Sequence, residues 1–365
     1  AADMKEHLEI FKKRYDPIHH AYWTDVLSDA ELAAWHQEQL REVIGHVKRF
    51  SPFYSRHLAQ VDERSLTLND LASVPFTTKD DLREAGFDIL SGPLEDSIFY
   101  YETTGTTGPA TPCPRDRKES YASNRQLAMA YQAVIEKHFP GEKTVVGIMG
   151  PTEVHSFGDT LGDVCTQLDL CNAKIWPHSP VIGWTKSLQL LKDLRIGVLA
   201  SAPGLLLAMA KEAERQGFNP REDFALRAFM MSGELCTPAL KNNLYSLWGA
   251  QAYNSLYGSQ EAMIIAACNS NDQLVPHRLN YIIEVLDPKS GESLGSSGDG
   301  ELCVTMLIPG SKPLVRYRTG DLVSIQSRPG YPQSMRQTVK VVGRVKDAVQ
   351  LNDHAFSAAQ IEQAL

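Results

Sequence analysis

The sequence has no Cys-x-x-Cys pair, no unbroken apolar run of membrane-spanning length and no excess of basic residues. Its longest apolar stretch, Ile196 to Ala210, is interrupted by Pro203-Gly204, whereas a spanning helix needs about 20 apolar residues. The N-terminus, Ala1-Ala2-Asp3-Met4-Lys5, has no charged head followed by an apolar segment, so no signal peptide is expected. The six cysteines, Cys113, Cys165, Cys171, Cys236, Cys268 and Cys303, are scattered. Scattered cysteines in a large chain read as reduced thiols, and the expected location is cytoplasmic. Thirty-six Lys and Arg against 44 Asp and Glu leave a net charge of −8. That balance gives no footprint for nucleic acid or an anionic membrane, so neither is expected as a partner. There is no Gly-Lys-Ser/Thr of a Walker loop, and no Gly-x-Gly-x-x-Gly turn of the kind a nicotinamide oxidoreductase needs.

What is present is an ordinary globular composition, 43% apolar and 22% charged over 365 residues, long enough for two or three domains with a sizeable core. The first 90 residues read as helical. Ser28 and Glu31 form a possible capping box, followed by Leu32, Trp35, Leu40, Val43, Ile44, Val47 and Phe50 at helical spacing. Ser51-Pro52 is expected to end that helix. From about Phe99, β-rich runs (Thr144–Met149, Ala173–Trp176, Ile196–Ala200, Arg227–Met231) alternate with helical ones (Trp184–Leu194, Leu205–Arg215, Pro238–Trp248). Such alternation predicts a parallel sheet covered on both faces. Beyond Tyr257 the runs Ile264–Cys268, Tyr281–Leu286, Glu301–Met306, Leu322–Ile325 and Val339–Val342 lack helices between them, and an antiparallel unit is expected.

Ligands of open parallel sheets sit beyond the carboxyl ends of the strands. Small residues collect there in Ser201-Ala202-Pro203-Gly204, in Ser232-Gly233-Glu234 and in Tyr257-Gly258-Ser259-Gln260-Glu261. Each alone is also an ordinary strand–helix turn. The loop Thr103-Thr104-Gly105-Thr106-Thr107-Gly108 packs four hydroxyls and two glycines into six residues, and such a loop can cradle phosphate oxygens. Arg316-Tyr317-Arg318-Thr319-Gly320-Asp321 reads as a turn whose Asp321 carboxylate could accept from two vicinal hydroxyls. Gly343-Arg344-Val345-Lys346-Asp347 reads as the end of a strand in a charged turn.

Together and in this order, TTGTTG, YGSQE, RYRTGD and GRVKD resemble the adenylate-forming superfamily of acyl-CoA synthetases, peptide-synthetase adenylation domains and luciferases. Ser73-Val74-Pro75-Phe76-Thr77-Thr78-Lys79-Asp80-Asp81-Leu82 and Gln360-Ile361-Glu362 are similar to the phenylacetate–CoA ligase branch. The implied fold is α/β, the large N-terminal domain of an adenylate-forming enzyme with parallel αβα layers and a smaller antiparallel β unit. The expected divisions are a helical segment over 1–90, an ATP- and acyl-binding part over 91–260, a β-rich part over 261–343, and a hinge with the start of a C-terminal domain over 344–365. The implied activity is activation of an aromatic carboxylic acid with ATP as acyl-AMP, then transfer to CoA. A carrier-protein thiol or an amine is the alternative acceptor, and a non-catalytic nucleotide-binding domain is a third reading. A homodimer is left open.

Residue by residue, the resemblance implies that Thr103 to Gly108 hold the β- and γ-phosphates and that Glu261 is the Mg²⁺ carboxylate. Ser232, Gly233 and Glu234 lie along adenine, Tyr257 stacks near the base within Tyr257-Gly258-Ser259, Asp321 takes the ribose hydroxyls, Arg344 lies beside the ribose, and Lys346 is the hinge. Glu261, Thr104 and Lys346 are the expected catalytic group. The acid would lie among Met149, His155, Phe157, Ser201, Ala202, Pro203, Gly204, Ser255, Tyr257 and Gly258. The departures are Glu102 and Pro109 flanking the phosphate loop, and Asp353-His354 near a glycine of the pantetheine tunnel. Cys268 and His277 stand where some relatives bind zinc, but Ser327–Met335 has no cysteine, so zinc is not expected. The family's small domain, with its catalytic lysine, is expected to lie beyond Leu365, so these residues should bind ATP and acid but turn over slowly.

Overall fold

A computed structural model describes residues 3–103, 108–234, 236–347, 349–351 and 354–356. In chain order the main elements are α1 (Asp3–Trp23), α2 (Asp29–Phe50), α3 (Pro52–His57), α4 (Lys79–Ala85), α5 (Arg117–His138), β1 (Val145–Ile148), α6 (Phe157–Gln167), β2 (Asn172–Lys174), α7 (Gly183–Asp193), β3 (Ile196–Ser201), α8 (Pro203–Arg215), β4 (Ala228–Met231), α9 (Pro238–Trp248) and β5 (Gln251–Asn254). They continue as β6 (Leu256–Ser259), β7 (Met263–Cys268), β8 (Leu274–Pro276), β9 (Tyr281–Leu286), β10 (Gly298–Met306), β11 (Tyr317–Ser327) and β12 (Gln337–Arg344). The chain divides into two compact units, one of residues 1–122, 259–265 and 275–365, the other of residues 123–258 and 266–274. No helix among the described residues is long and apolar enough to cross a membrane.

In the second unit, the five-stranded sheet has the order β2-β1-β3-β4-β5, with every pair parallel. Every residue of β3 and β4 is buried, as a sheet covered on both faces requires. Met149, Leu199, Leu206, Met209, Phe229, Leu244 and Trp248 belong to its apolar core. Each such side chain contributes about 1.5–3 kcal/mol relative to exposure. α9 is bounded by local chemistry. Thr237 Oγ1 accepts from Leu240 N–H, Pro238 occupies the first turn, and Gly249 closes the helix at φ +69°.

In the first unit, Ser28 and Glu31 make the reciprocal capping box, and Leu32, Trp35, Leu40, Val43, Ile44 and Val47 are buried. Phe50, expected on that stripe, is 45% exposed, because it is the last residue of α2. Ser51-Pro52 ends α2 as expected and also starts α3: Ser51 Oγ accepts from Tyr54 N–H, with Pro52 at the first helical position. Trp35 Nε1–H donates to the Leu279 carbonyl (2.8 Å), Gln39 to the Leu307 carbonyl (2.9 Å) and Tyr15 to Asn280 Oδ1 (2.7 Å). These bonds tie the helices to the segments around β9 and β10. The larger sheet has the order β6-β7-β8-β12-β11-β10-β9, with β9 to β12 antiparallel along the chain of pairs β9–β10–β11–β12.

A reciprocal capping box of Asp116 and Glu119 opens α5. Glu119 Oε1 accepts from Asp116 N–H (2.9 Å) and from Ser311 N–H (3.2 Å). A Cβ on Gly310 would lie 1.8 Å from Glu119 Oε2, so a larger residue there would displace that carboxylate. Burial, then the Asp116 carboxylate, pushes Glu119 from 4.5 up to about 8 against the opposing pull of Arg115. Between those values the folded state holds a proton that the unfolded state has shed. This contribution to stability is therefore full below about pH 4.5 and lost as pH rises through about 8. Glu119→Gln is expected to flatten that decline, measured by denaturant unfolding at pH 5 and pH 8.

Candidate functional site

The phosphate-loop candidate stands on a hairpin of the first unit. Phe99 pairs with Arg115 and Glu102 with Pro112. Thr103 N–H donates to the Thr111 carbonyl (3.1 Å) and Thr103 Oγ1 accepts from Thr111 N–H (2.9 Å). This stem holds Thr103 at one rim and the exposed Gly108 at the other. Thr104, Gly105, Thr106 and Thr107 lie outside the described residues, as do Asp353 and Gln360 to Glu362.

Glu261 sits in the turn between β6 and β7, half-buried. Ser259 Oγ accepts from Ala262 N–H (3.1 Å) and so fixes the turn. Tyr317 O–H donates to Glu261 Oε1 (3.0 Å), and Lys312 Nζ donates to the Glu261 carbonyl (2.8 Å). Sequence reading puts Asp321 in a turn. The structure instead places it inside β11, just after Gly320 at φ +74°, where the register shifts on both neighbouring strands. A glycine in the left-handed region makes a bulge that re-aims the next side chain without ending the strand. Asp321 faces Arg344 across β11 and β12, and Arg344 Nε lies 3.1 Å from Asp321 Oδ1. Lys346 is exposed in the 3₁₀ turn Val345–Asp347 that follows.

Lys79, quoted above only as part of a motif, joins this group. It opens α4 immediately after the N-cap Thr78, and a Cβ on Gly320 would be 3.8 Å from Lys79 Nζ. Burial, then the Arg344 guanidinium, lowers its pKa, while Glu261 and Asp321 pull it the other way. A lysine at the first position of a capped helix is the only local signal of it, because its neighbours come from distant strands. The first unit thus gathers two carboxylates and two cations, Glu261, Asp321, Lys79 and Arg344, around one bulge.

The second unit carries the remaining candidates. Its strand order reverses at β1, which makes the carboxyl ends of β1 and β3 the switch point where such sheets bind ligands. Met149 follows β1 and is buried, and Ser201 ends β3. Ser232 N–H donates to the Ser201 carbonyl (3.0 Å), and Ser255 N–H to the Met231 carbonyl (2.9 Å). Ser201, Ser232 and Ser255 therefore line successive strand ends. Among the described residues the buried Ser201 hydroxyl has no hydrogen-bond partner. Ala202-Pro203-Gly204 turns into α8, and Gly204 N–H donates to Glu234 Oε1 (3.2 Å), so Glu234 caps that helix. Gly233 supplies the positive φ beside it (+92°). His155 Nδ1 accepts from Phe157 N–H (3.1 Å) at the start of α6. A Cβ on Gly150 would lie 2.4 Å from the Phe157 ring, so that ring rests on the glycine face beside Met149. Tyr257, Gly258 and Ser259, expected as a strand-end loop, form β6 of the larger sheet.

No protein-family model matches the chain. Phenylacetate-coenzyme A ligase of Pseudomonas putida is 28% identical over 355 residues, spanning 93% of this chain and 77% of its own length. The phenylacetate-coenzyme A ligase of Escherichia coli K12 is 26% identical over 370 residues, spanning 98% and 79%. Among solved structures, an open conformation of 2-hydroxyisobutyryl-CoA ligase in complex with 2-HIB-AMP and CoA superposes with a TM-score of 0.80 at 20% identity, over 93% of this chain and 81% of that one. MatB from Rhodopseudomonas palustris gives a TM-score of 0.54 at 17% identity, over 74% and 52%. The chain is thus similar in sequence to phenylacetate-coenzyme A ligases over most of its length, and similar in fold to solved CoA ligases.

Proposed function

We propose that the chain activates a carboxylic acid with ATP as acyl-AMP and passes the acyl group to CoA. The observation that carries this reading is the cluster of Glu261, Asp321, Lys79 and Arg344 in the unit that also bears the phosphate-loop hairpin. In the proposed first step a carboxylate oxygen attacks the α-phosphorus and the bond to pyrophosphate breaks. The protein's part is positioning and charge stabilisation. Asp321, pinned by Arg344, accepts the ribose hydroxyls. Thr103 steadies the phosphate loop from its stem. Lys79 and Arg344 offset negative charge near the phosphates.

Among the described residues no three His, Cys, Asp or Glu side chains form a metal cage. The fit is to Mg²⁺ carried with nucleotide, since that cation takes one or two carboxylates, phosphate oxygens and water. Glu261 supplies such a carboxylate from a fixed turn. When bound, Mg²⁺ would neutralise charge on the departing pyrophosphate.

The finer reading is an aromatic acid held at the switch point of the parallel sheet, against Met149 and the Phe157 ring on Gly150. The likeness to phenylacetate-coenzyme A ligases supports both the acid class and CoA as acceptor. Supplying CoA, a carrier protein or an amine to the acyl-AMP complex tests the acceptor, and the expected product is the CoA thioester. Asp321→Ala is expected to weaken AMP binding by about 1–3 kcal/mol, roughly 5- to 150-fold. Unchanged AMP affinity by calorimetry would remove the ribose assignment.

A further inference from the structure

Glu261 is held at two points by one segment, and both holding groups are buried. Lys312 is 3% exposed and Tyr317 is 1% exposed. Lys312 donates to the main-chain carbonyl of Glu261, and Tyr317 to its carboxylate. Burying an ammonium group is costly unless it is hydrogen-bonded, and among the described residues the hydrogen bond recorded for Lys312 Nζ is the one to the Glu261 carbonyl. Arg115, 4% exposed, adds a longer contact from Nη2 to the preceding carbonyl of Gln260 (3.5 Å).

The position of Tyr317 is itself over-determined. Thr77 N–H donates to the Arg316 carbonyl (2.9 Å), and Arg318 N–H to the Thr77 carbonyl (2.9 Å). Thr77 Oγ1 and Tyr54 O–H hold Val315. Arg316 adopts φ +43°, a strained value for a residue with a long side chain, which persists where the surroundings enforce it.

We propose that Tyr317 and Lys312 are positioning residues for the metal carboxylate, the phenol fixing the Glu261 side chain and the ammonium fixing its backbone. The inference rests on the reading of Glu261 as the group that meets Mg²⁺. With Oε1 held by the phenol, a cation contact is directed to Oε2. Because β11 also carries Asp321, the same strand that grips the ribose sets the carboxylate at the phosphate end. A structural tyrosine would need only its ring packed. Here the hydroxyl is the part that reaches Glu261, so the two roles separate on one atom.

Tyr317→Phe keeps the ring and removes that atom. The probe is Mn²⁺ titrated into the full chain with ATP and no acid, followed by electron paramagnetic resonance, so no turnover is needed. Loss of an outer hydrogen bond to a metal ligand costs about 10- to 100-fold in metal affinity. The Mn²⁺ dissociation constant is expected to rise at least about tenfold, while metal-free AMP affinity and melting temperature stay close to wild type. Lys312→Met, which keeps the stem and loses the ammonium, is expected to act in the same direction. If it does not fold, Tyr317→Phe still decides. Unchanged Mn²⁺ affinity in Tyr317→Phe, alongside a loss in Glu261→Gln, overturns the positioning role and leaves the metal reading standing. An equal loss of AMP affinity in Tyr317→Phe overturns it in favour of a structural hydroxyl. Wild-type protein that binds AMP but takes up no Mn²⁺ with ATP overturns the metal reading and this inference together.

Discussion

Replacing Glu261 by Gln is expected to lower the rate of acyl-AMP formation by about 10²–10³-fold, the usual loss when one preorganised charge-stabilising group is removed. Gln keeps the volume and can still accept from Tyr317, whose hydroxyl lies 3.0 Å from Oε1, so the turn between β6 and β7 should persist. What disappears is the negative charge. Affinity for AMP, which lacks the β- and γ-phosphates, should change little, so the loss should fall on turnover. Single-turnover acyl-AMP formation measured with AMP calorimetry and a melting curve separates the roles. Normal turnover with a large melting loss would make Glu261 a structural carboxylate.

The largest stability effect is expected at Arg316. Its guanidinium meets Glu284 with two nitrogens, Nε to Oε2 at 3.0 Å and Nη2 to Oε1 at 2.8 Å. The side chains are 3% and 7% exposed. Arg316 Nη1 also donates to the carbonyls of Ala72 (3.2 Å) and Val74 (2.8 Å), and the guanidinium stacks over the Phe76 ring. Arg316→Ala would strand the Glu284 carboxylate and two carbonyls, and a loss of about 3–5 kcal/mol is expected in denaturant unfolding. The double change Arg316→Met with Glu284→Leu should cost far less, because no buried charge is left unpaired. If the single and double variants lose the same amount, packing rather than charge pairing holds this region.

Local chemistry was the legible part. Ser28 with Glu31, and Pro238 through Gly249, carry their own start and stop signals, and each helix lies where those residues put it. The alternating runs gave the parallel sheet for the same reason, since a strand buried on both faces is apolar throughout. Pairing between distant segments was not legible. Gly320-Asp321 looks like a turn in one dimension. Only β10 and β12 on either side make it a bulge within a strand. Tyr257 to Ser259 looks like a loop after β5 until the larger sheet claims it as β6. Lys79 and Tyr317 belong to motifs whose order was readable. Their closeness to Asp321 and Glu261 is set by the pairing of Thr77 with Tyr317, 240 positions apart in sequence. The resemblance supplied roles for Glu261, Asp321 and Arg344 that composition and spacing alone could not.

The most direct test is a single-turnover reaction. The full chain, in excess over ATP, is incubated with Mg²⁺ and a panel of aromatic and aliphatic acids without CoA, and the products are identified by mass spectrometry. The account predicts acyl-AMP and pyrophosphate formed only with an acid present, in greatest yield with an aromatic acid, and conversion to a thioester when CoA is added. ATP bound but never converted to acyl-AMP with any acid would contradict it.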